Sequence, residues 1–185
     1  MPIRIRNSQN MPQSGKVILC CNHASMTDPV RLAFCVKRQI FYMAKAELFH
    51  NKFVSAVISS LGAFPVSRGK GDKGAINAAQ KHLNSGHVLG LFIEGTRSKD
   101  GNLQRPKPGA VMLAKSCNAP ILPCCITAKN GGLPKLFRPC IVSFGKLIPP
   151  EELGIENGTP TELRNASQYV MSRIAELRES SLKEF

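Results

Sequence analysis

Apolar and polar positions alternate along the chain in short runs that predict strands and helices in turn. Continuous apolar runs predict buried strands at 16–21, 39–44, 63–67 and 87–93. Between them, apolar residues recur at helical spacing over 29–38, 46–61 and 73–85. Because parallel strands need crossover connections, this alternation predicts an α/β fold with a mostly parallel, mixed sheet flanked by helices.

The rest of the chain adds elements to the same predicted unit, so we expect a single domain over residues 1–185. These elements are a strand at 3–6, a helix at 109–117, strands at 120–127 and 138–148, and a last helix at 160–182. The sequence "TPTE" at 159–162 predicts a capping box at the start of the last helix. Its apolar face over 163–177 is expected to dock on the sheet.

An apolar stripe in the predicted 46–61 helix leaves two placements open. The stripe consists of Phe49, Phe53, Val57 and Leu61. Such spacing is typical of a helix that packs on a core, and this is the prediction. The alternative is a helix that lies in a membrane interface, which the neighbouring Lys45 and Lys52 also fit.

The charge balance indicates an anionic partner. Lys and Arg number 25 against 12 Asp and Glu, a net charge of +13 in a chain of 185 residues that is 43% hydrophobic. Phosphate esters, acidic proteins, anionic membranes and nucleic acids are all attracted by such a charge. Nucleic acid is disfavoured, because aromatic residues make up only 6% of the chain, tryptophan is absent and no nucleic-acid-binding motif occurs.

The cysteines and the N-terminal sequence predict a cytoplasmic protein. Seven cysteines, an odd number, lie mostly in apolar runs without the C-x-x-C spacing of zinc sites, so we expect buried, reduced thiols. The first 15 residues lack the basic and then apolar pattern of a signal peptide. The longest mainly apolar stretch, 53–66, is shorter than the ~20 residues that span a bilayer.

Polar side chains follow the first buried strand, in the sequence "VILCCNHASMTDP" at 17–29. Asn22 and His23 come directly after the strand, and Asp28 follows five positions after His23. A histidine accepts a proton from an alcohol when a carboxylate holds its other ring nitrogen. The alternative is structural, since Thr27 or Asp28 before Pro29 also fits a helix N-cap.

Three further strand ends carry charged residues. The sequence "GAFPVSRG" at 62–69 contains Arg68, "LFIEGTRS" at 91–98 contains Glu94 and Arg97, and "FYMAK" ends at Lys45. Because the carboxyl ends of parallel strands meet at one edge of a sheet, we expect these residues to gather near His23. Arginine and lysine side chains together bind phosphate, so the expected substrate is a phosphate ester.

These stretches together resemble the glycerolipid acyltransferase family, typified by 1-acylglycerol-3-phosphate acyltransferase. The family's N-H-x-x-x-x-D block corresponds to Asn22, His23 and Asp28, and its arginine-ending block to "GAFPVSR". Its Phe-x-Glu-Gly-Thr/Ser-Arg block corresponds to "FIEGTRS", and its proline-centred apolar block to "APILPCC" at 119–125. All four occur in order between residues 11 and 144, and the resemblance implies the glycerolipid acyltransferase fold.

The resemblance implies direct transfer of a fatty acyl group from acyl-CoA or acyl carrier protein to the sn-2 hydroxyl of 1-acyl-sn-glycerol-3-phosphate, giving phosphatidic acid. His23 is then the general base, Asp28 orients it, and no acyl-enzyme, metal or cofactor is involved. The implied substrate-binding residues are Asn22, Lys45, Arg68, Glu94, Gly95, Thr96 and Arg97, with the lysine and the two arginines on the phosphate. The backbone at Glu94 and Gly95 is expected to help stabilise the oxyanion of the tetrahedral intermediate.

The expected lipid acceptor implies a peripheral protein on the cytoplasmic face of the cell membrane, held by a basic surface and a modest apolar patch. The four blocks do not separate this acceptor from glycerol-3-phosphate or another lysophospholipid, nor acyl-CoA from the carrier protein. A non-catalytic lipid-binding or nucleic-acid-binding module is the alternative of a different class. A thiol nucleophile at Cys20 or Cys21 is disfavoured, because both lie inside the strand before His23.

Overall fold

The computed structural model describes residues 2–66, 73–135 and 137–185. Within them the chain forms seven β-strands and five α-helices. The strands are β1 (Ile3–Arg6), β2 (Val17–Cys21), β3 (Ile40–Lys45), β4 (Ala63–Val66), β5 (Val88–Phe92), β6 (Ile121–Ala128) and β7 (Cys140–Phe144). The helices are α1 (Asp28–Cys35), α2 (Lys52–Ser60), α3 (Lys73–Asn84), α4 (Gly109–Cys117) and α5 (Pro160–Leu182).

The strands form one sheet in the order β1-β7-β6-β2-β5-β3-β4, with β2 at its centre. Neighbouring strands run parallel except β6 and β7, which are antiparallel. The predicted mostly parallel, mixed α/β sheet flanked by helices is therefore confirmed. Strands β2 to β6 consequently all end at one edge, here named the carboxyl edge.

The central strand supplies both faces of the core. All five residues of β2 are fully buried, because helices cover the sheet on both sides. Ile18 and Cys20 contact the cluster built with α3, α4 and α5, whereas Leu19 and Cys21 belong to the opposite cluster, which includes α1. This alternation follows from the two-residue period of a strand.

Helix α5 closes one face of the sheet as the sequence predicts. The Thr159 side chain accepts the Glu162 amide, and the Glu162 side chain accepts the Thr159 amide, which is the predicted capping box. Ala166, Val170 and Ile174 of its apolar face are buried against the sheet. The predicted docking of the last helix is confirmed.

The predicted 46–61 helix is the main error at the level of secondary structure. The segment divides into a 3₁₀ turn at Ala46–Phe49 and helix α2, which the Asn51 side chain caps by accepting the Phe53 and Val54 amides at 3.0 and 3.1 Å. No residue of α2 is buried, so the predicted core packing is wrong. The helix joins β3 to β4, the four-residue strand at the rim of the sheet, and so has little sheet surface to cover.

Two smaller features bear on the sequence-based predictions. All seven cysteines are buried and unpaired, as expected for reduced thiols. Strand β7 is shorter than the predicted 138–148. Its antiparallel pairing with β6 continues to Gly145, whose amide donates to the Pro123 carbonyl at 2.8 Å, but proline has no amide hydrogen to return the bond. Across the described ranges no helix combines the length and the apolar character that a membrane crossing requires.

Candidate active site

A histidine and an aspartate form a hydrogen-bonded pair where β2 leaves the sheet. His23 Nδ1 lies 2.9 Å from Asp28 Oδ2, so the ring nitrogen opposite the pair is Nε2. The imidazole stacks on the Phe92 ring with centroids 3.9 Å apart and planes inclined by 16°. The His23 side chain is 18% exposed, which leaves it accessible from the carboxyl edge. The pair anticipated from the spacing of the two residues is thus present.

The Asp28 carboxylate is fully buried and accepts hydrogen bonds from several directions. Besides His23, its Oδ2 accepts the backbone amides of Ala24 at 2.8 Å and Ser25 at 2.7 Å. These amides precede the helix, so the carboxylate shapes the 22–27 loop and does not cap α1. Thr27 occupies the N-cap position without a side-chain capping bond. The expectation that either residue caps the helix through its side chain is wrong, because Asp28 points back into the loop.

The sequence reasoning missed Arg31, whose side chain is fully buried beneath the pair. Arg31 Nη1 donates to Asp28 Oδ1 at 3.3 Å and to Thr27 Oγ1, and its Nη2 donates to the Lys135 carbonyl at 3.1 Å. A buried charge persists only when it is paired and hydrogen-bonded. The available signal was the spacing of three residues from Asp28 to Arg31, which places both on one face of a helix.

Asn22 is placed beside the pair but its side chain is committed to strand β6. Asn22 Oδ1 accepts the Ile126 amide at 2.8 Å, and Nδ2 donates to the Ile126 carbonyl at 3.1 Å. The side chain is buried and acts like a peptide group that extends the pairing of β2 with β6. Asn22 therefore fixes the start of the loop that carries His23, in contrast to the direct substrate contact that the resemblance implies.

The loop after β5 is hydrogen-bonded to the His23 loop. The Ser98 amide donates to the His23 carbonyl at 2.7 Å, and the Lys107 amide donates to the Ile93 carbonyl at 2.7 Å. Gly95 has φ +70, a backbone conformation that favours glycine. A Cβ at this position would also lie 3.2 Å from Lys107 Cγ, so the close approach of Lys107 favours glycine as well. The carboxyl-terminal ends of β2 and β5 consequently form one connected unit.

Glu94 is a buried carboxyl group near the His23 backbone. Its side chain is 1% exposed, and burial raises the pKa of Glu94 to about 7, while the nearby backbone amides of His23 and Gln104 act in the opposite direction. Neither carboxylate oxygen makes a hydrogen bond of normal geometry with the described residues. Such burial does not fit the direct acceptor contact that the resemblance implies, and instead places Glu94 where it supports the His23 loop.

Positively charged side chains reach the same edge from neighbouring strands. In the sheet order, β5 lies between β2 and β3, so Lys45 at the end of β3 and Arg97 after β5 flank the His23 loop on one side. Both side chains are exposed. Thr96 is exposed as well and lines a shallow depression together with Arg97. Arg68, the other predicted phosphate ligand, lies outside the described residues.

Thiol and metal chemistry find little support at this edge. Burial raises the pKa of the Cys20 and Cys21 thiols well above the ordinary value, so neither is an activated nucleophile. Among the residues that the structure describes, no group of three or more His, Cys, Asp or Glu side chains is arranged to hold a metal ion.

A known protein family matches this chain. A family model described as Acyltransferase matches residues 2–127, a stretch that contains both connected loops. The chain belongs to the acyltransferase family. The family predicted from the four sequence blocks is thereby confirmed, and with it the assignment of the protein as an O-acyltransferase.

Two similar curated proteins carry the same name. The 1-acyl-sn-glycerol-3-phosphate acyltransferase of Bacillus subtilis (strain 168) is 33% identical over 138 residues, covering 74% of this chain and 67% of that protein. The 1-acyl-sn-glycerol-3-phosphate acyltransferase of Borreliella burgdorferi is 30% identical over 124 residues, covering 65% of this chain and 49% of that protein. The chain thus spans two thirds of the first relative and about half of the second.

A solved structure shows the same fold. The crystal structure of the 1-acyl-sn-glycerophosphate (LPA) acyltransferase PlsC from Thermotoga maritima superposes with a TM-score of 0.75 at 23% sequence identity. The match covers 97% of this chain and 71% of that one. The predicted glycerolipid acyltransferase fold is therefore confirmed over nearly the whole chain.

Proposed function

We propose that this chain transfers a fatty acyl group from a thioester to the sn-2 hydroxyl of 1-acyl-sn-glycerol-3-phosphate, giving phosphatidic acid. Membership of the acyltransferase family and the names of its relatives support this acceptor. The observation that carries the proposal is the 2.9 Å bond between His23 and Asp28 at the carboxyl edge. A buried aspartate on one ring nitrogen leaves the other nitrogen as a general base for a hydroxyl.

The reaction begins with the acceptor hydroxyl against His23 Nε2. Nδ1 donates to Asp28, so Nε2 takes the hydroxyl proton while the oxygen attacks the thioester carbonyl. The ionised Asp28 stabilises the imidazolium that forms. His23 stacks on Phe92, and the backbone amides of Ala24 and Ser25 donate hydrogen bonds to Asp28. These contacts hold the geometry before the substrate arrives, which lowers the entropic cost of reaching the transition state.

The tetrahedral intermediate then collapses with loss of the thiolate. The C–S bond breaks, the leaving sulfur receives the proton from the imidazolium, and the new ester remains on the acceptor. The Gly95 amide donates to the Phe92 carbonyl at 3.0 Å, so we do not assign it to the oxyanion in this proposal. Gly95 shapes the loop after β5.

Cationic side chains at the carboxyl edge bind the acceptor phosphate in this proposal. Lys45 and Arg97 are the two described candidates, and Arg68 is the third by resemblance to the family. Guanidinium groups bond phosphate oxygens in pairs, whereas an ammonium adds a compact charge. The net charge of +13 supports an anionic substrate.

The acyl donor is acyl-CoA or acyl carrier protein, and both are anionic. We place the protein on the cytoplasmic face of the cell membrane as a peripheral protein, because its acceptor is a lipid and its basic surface attracts anionic headgroups. Acyl transfer from a thioester needs no further cofactor.

The decisive experiment follows radiolabelled palmitate from each donor to 1-acylglycerol-3-phosphate dispersed in lipid. The wild type is compared with His23→Ala and with His50→Ala, a matched control at an exposed histidine. We expect His23→Ala to lose ~10²–10⁴-fold in rate, the usual contribution of a general base. The control should retain full activity.

The alternatives give different results in the same assay. Equal activity of wild type and His23→Ala would remove His23 from the mechanism. Transfer only to glycerol-3-phosphate or to another lysophospholipid would change the acceptor but keep the family. Absence of transfer with every donor and acceptor, in protein that remains folded, would favour a non-catalytic lipid-binding module.

A further inference from the structure

Helix α2 exposes an apolar face that the fold leaves uncovered. Phe53 is 79% exposed, Val57 44% and Val54 37%, and Leu48 in the preceding 3₁₀ turn is 45% exposed. We name these four residues the α2 face. No residue of the helix is buried, although five of its nine residues, KFVSAVISS, are apolar. Exposed and contiguous apolar patches mark interaction sites in folded proteins.

The α2 face has the geometry of an interfacial helix. Successive helical residues are ~100° apart, so positions 53, 54 and 57 lie within an arc of about 100°. Lys52 begins the helix and Lys45 precedes the 3₁₀ turn, and both are exposed. A short helix with an aromatic apolar face and adjacent lysines is typical of a segment that lies in the plane of a membrane surface.

The α2 face adjoins the edge that carries the catalytic pair. Strand β3 ends at Lys45 and leads directly through the 3₁₀ turn into α2. Met26, three residues after His23, is 74% exposed in the loop at the same carboxyl edge. Apolar side chains therefore stand on both the α2 segment and the catalytic loop.

We propose that the α2 face docks on an anionic phospholipid bilayer and holds the carboxyl edge against the lipid surface. This inference rests on the proposed function, because a lysophosphatidic acid acceptor is itself a bilayer component. It names the surface through which the enzyme meets that acceptor. The net charge of +13 and the flanking lysines complement anionic headgroups, whereas they would oppose a second copy of the same basic chain.

A single fluorescent reporter tests the docking directly. The chain contains no tryptophan, so Phe53→Trp introduces one at the most exposed residue of the α2 face. With vesicles of phosphatidylcholine and phosphatidylglycerol we expect a blue shift of the tryptophan emission and its quenching by lipids brominated on the acyl chain. Added salt should partly reverse both effects. Vesicles of phosphatidylcholine alone should give a weaker shift.

Leu147→Trp is the matched control. Leu147 is 38% exposed and precedes Ile148, which pairs with Ile121 at the start of β6. This position lies at the sheet edge opposite the catalytic pair. A reporter there should remain in water when vesicles are added, so an equal shift in both variants would overturn the proposed orientation.

A charged variant connects docking to activity. Phe53→Glu with Val57→Glu should reduce the vesicle-bound fraction at least ~10-fold, because two carboxylates then replace the apolar contact. Transfer to a long-chain acceptor in vesicles should fall with it. Transfer to a short-chain, monomeric 1-acylglycerol-3-phosphate should stay unchanged, since neither residue belongs to the catalytic pair.

The two proposals fail in different ways. If the wild type transfers to neither acceptor, the proposed function is wrong, while the fluorescence shift still tests docking. If the charged variant keeps full activity on vesicles, or the reporter at position 53 shows no shift, docking through α2 is wrong. A blue shift that grows with protein concentration in the absence of vesicles would identify a second copy as the occupant and also overturn the proposal.

Discussion

Replacing Arg31 with methionine tests whether the buried arginine stabilises Asp28. The variant removes the guanidinium from a site where its side chain is 1% exposed and that of Asp28 is 0% exposed, while it keeps a long apolar stem. Asp28 then loses its ion pair but retains His23 and the amides of Ala24 and Ser25. The hydrogen bonds to Thr27 and to the Lys135 carbonyl disappear as well.

The expected loss is large because the remaining charge stays buried. Removing one partner of a buried ion pair costs ~3–5 kcal/mol. Three N–H donors still face the Asp28 carboxylate. We therefore expect a loss at the lower end of this range, about 3 kcal/mol in the free energy of unfolding. For a chain of this size that corresponds to a fall in Tm of roughly 6–12 °C. Equilibrium urea unfolding followed by circular dichroism measures the difference.

A double-mutant cycle separates the pair from general packing. Asp28→Asn alone leaves the buried guanidinium unpaired, so the double variant should lose less stability than the sum of the two single variants. Arg173→Met is the matched control, since Arg173 and Glu176 form an ion pair at the same spacing of three residues but in solvent. Its stability should be nearly that of the wild type. Additivity of the Arg31 and Asp28 variants within ~0.5 kcal/mol would refute the coupling.

Glu94, Asn22 and the buried cysteines each give a further prediction. Burial raises the pKa of Glu94 to about 7, above the ~4.3 of an unfolded chain, so between these pH values the folded state holds a proton that the unfolded chain has lost. The stability of the wild type relative to Glu94→Gln should therefore fall as pH rises through this range. The slope should approach ~1.4 kcal/mol per pH unit. Urea unfolding at several pH values measures this difference, and a constant difference would contradict it. Asn22→Ala should lower the free energy of unfolding by roughly 2–4 kcal/mol, as measured by thermal unfolding, because the Ile126 amide and carbonyl lose their hydrogen-bond partners. A change below ~0.5 kcal/mol would show that β6 does not need this side chain. All seven thiols are buried, so a water-soluble disulfide reagent should react at the rate of unfolding, and rapid labelling of the native protein would reopen Cys21 as a reactive group.

Local sequence patterns predict the order of the strands along the chain and the hydrogen-bonded pair of His23 and Asp28. Uninterrupted apolar runs identify buried strands because a strand covered on both faces has no polar position. The five-residue spacing of His23 and Asp28 is short enough that one tight loop brings them together, as the 2.9 Å bond shows. The capping box at Thr159 and Glu162 is equally local.

Local sequence patterns do not predict which distant segments contact each other. Asn22 bonds Ile126, 104 positions away, and Arg31 bonds the carbonyl of Lys135, also 104 positions away. The sequence shows the polar residues but gives no sign of which backbone groups lie opposite them. The sequence therefore predicts a substrate contact for Asn22 and indicates no role for Arg31.

The α/β alternation, the acyltransferase blocks and the pairing of His23 with Asp28 follow from local sequence, because each depends on residues within a few positions of one another. The burial of Glu94, the contact of Asp28 with Arg31 and the exposure of α2 depend on how distant segments pack. Whether a side chain is buried depends on which other segments of the chain pack against it. A helix beside the four-residue rim strand stays uncovered, although its apolar spacing equals that of a helix that packs on a sheet.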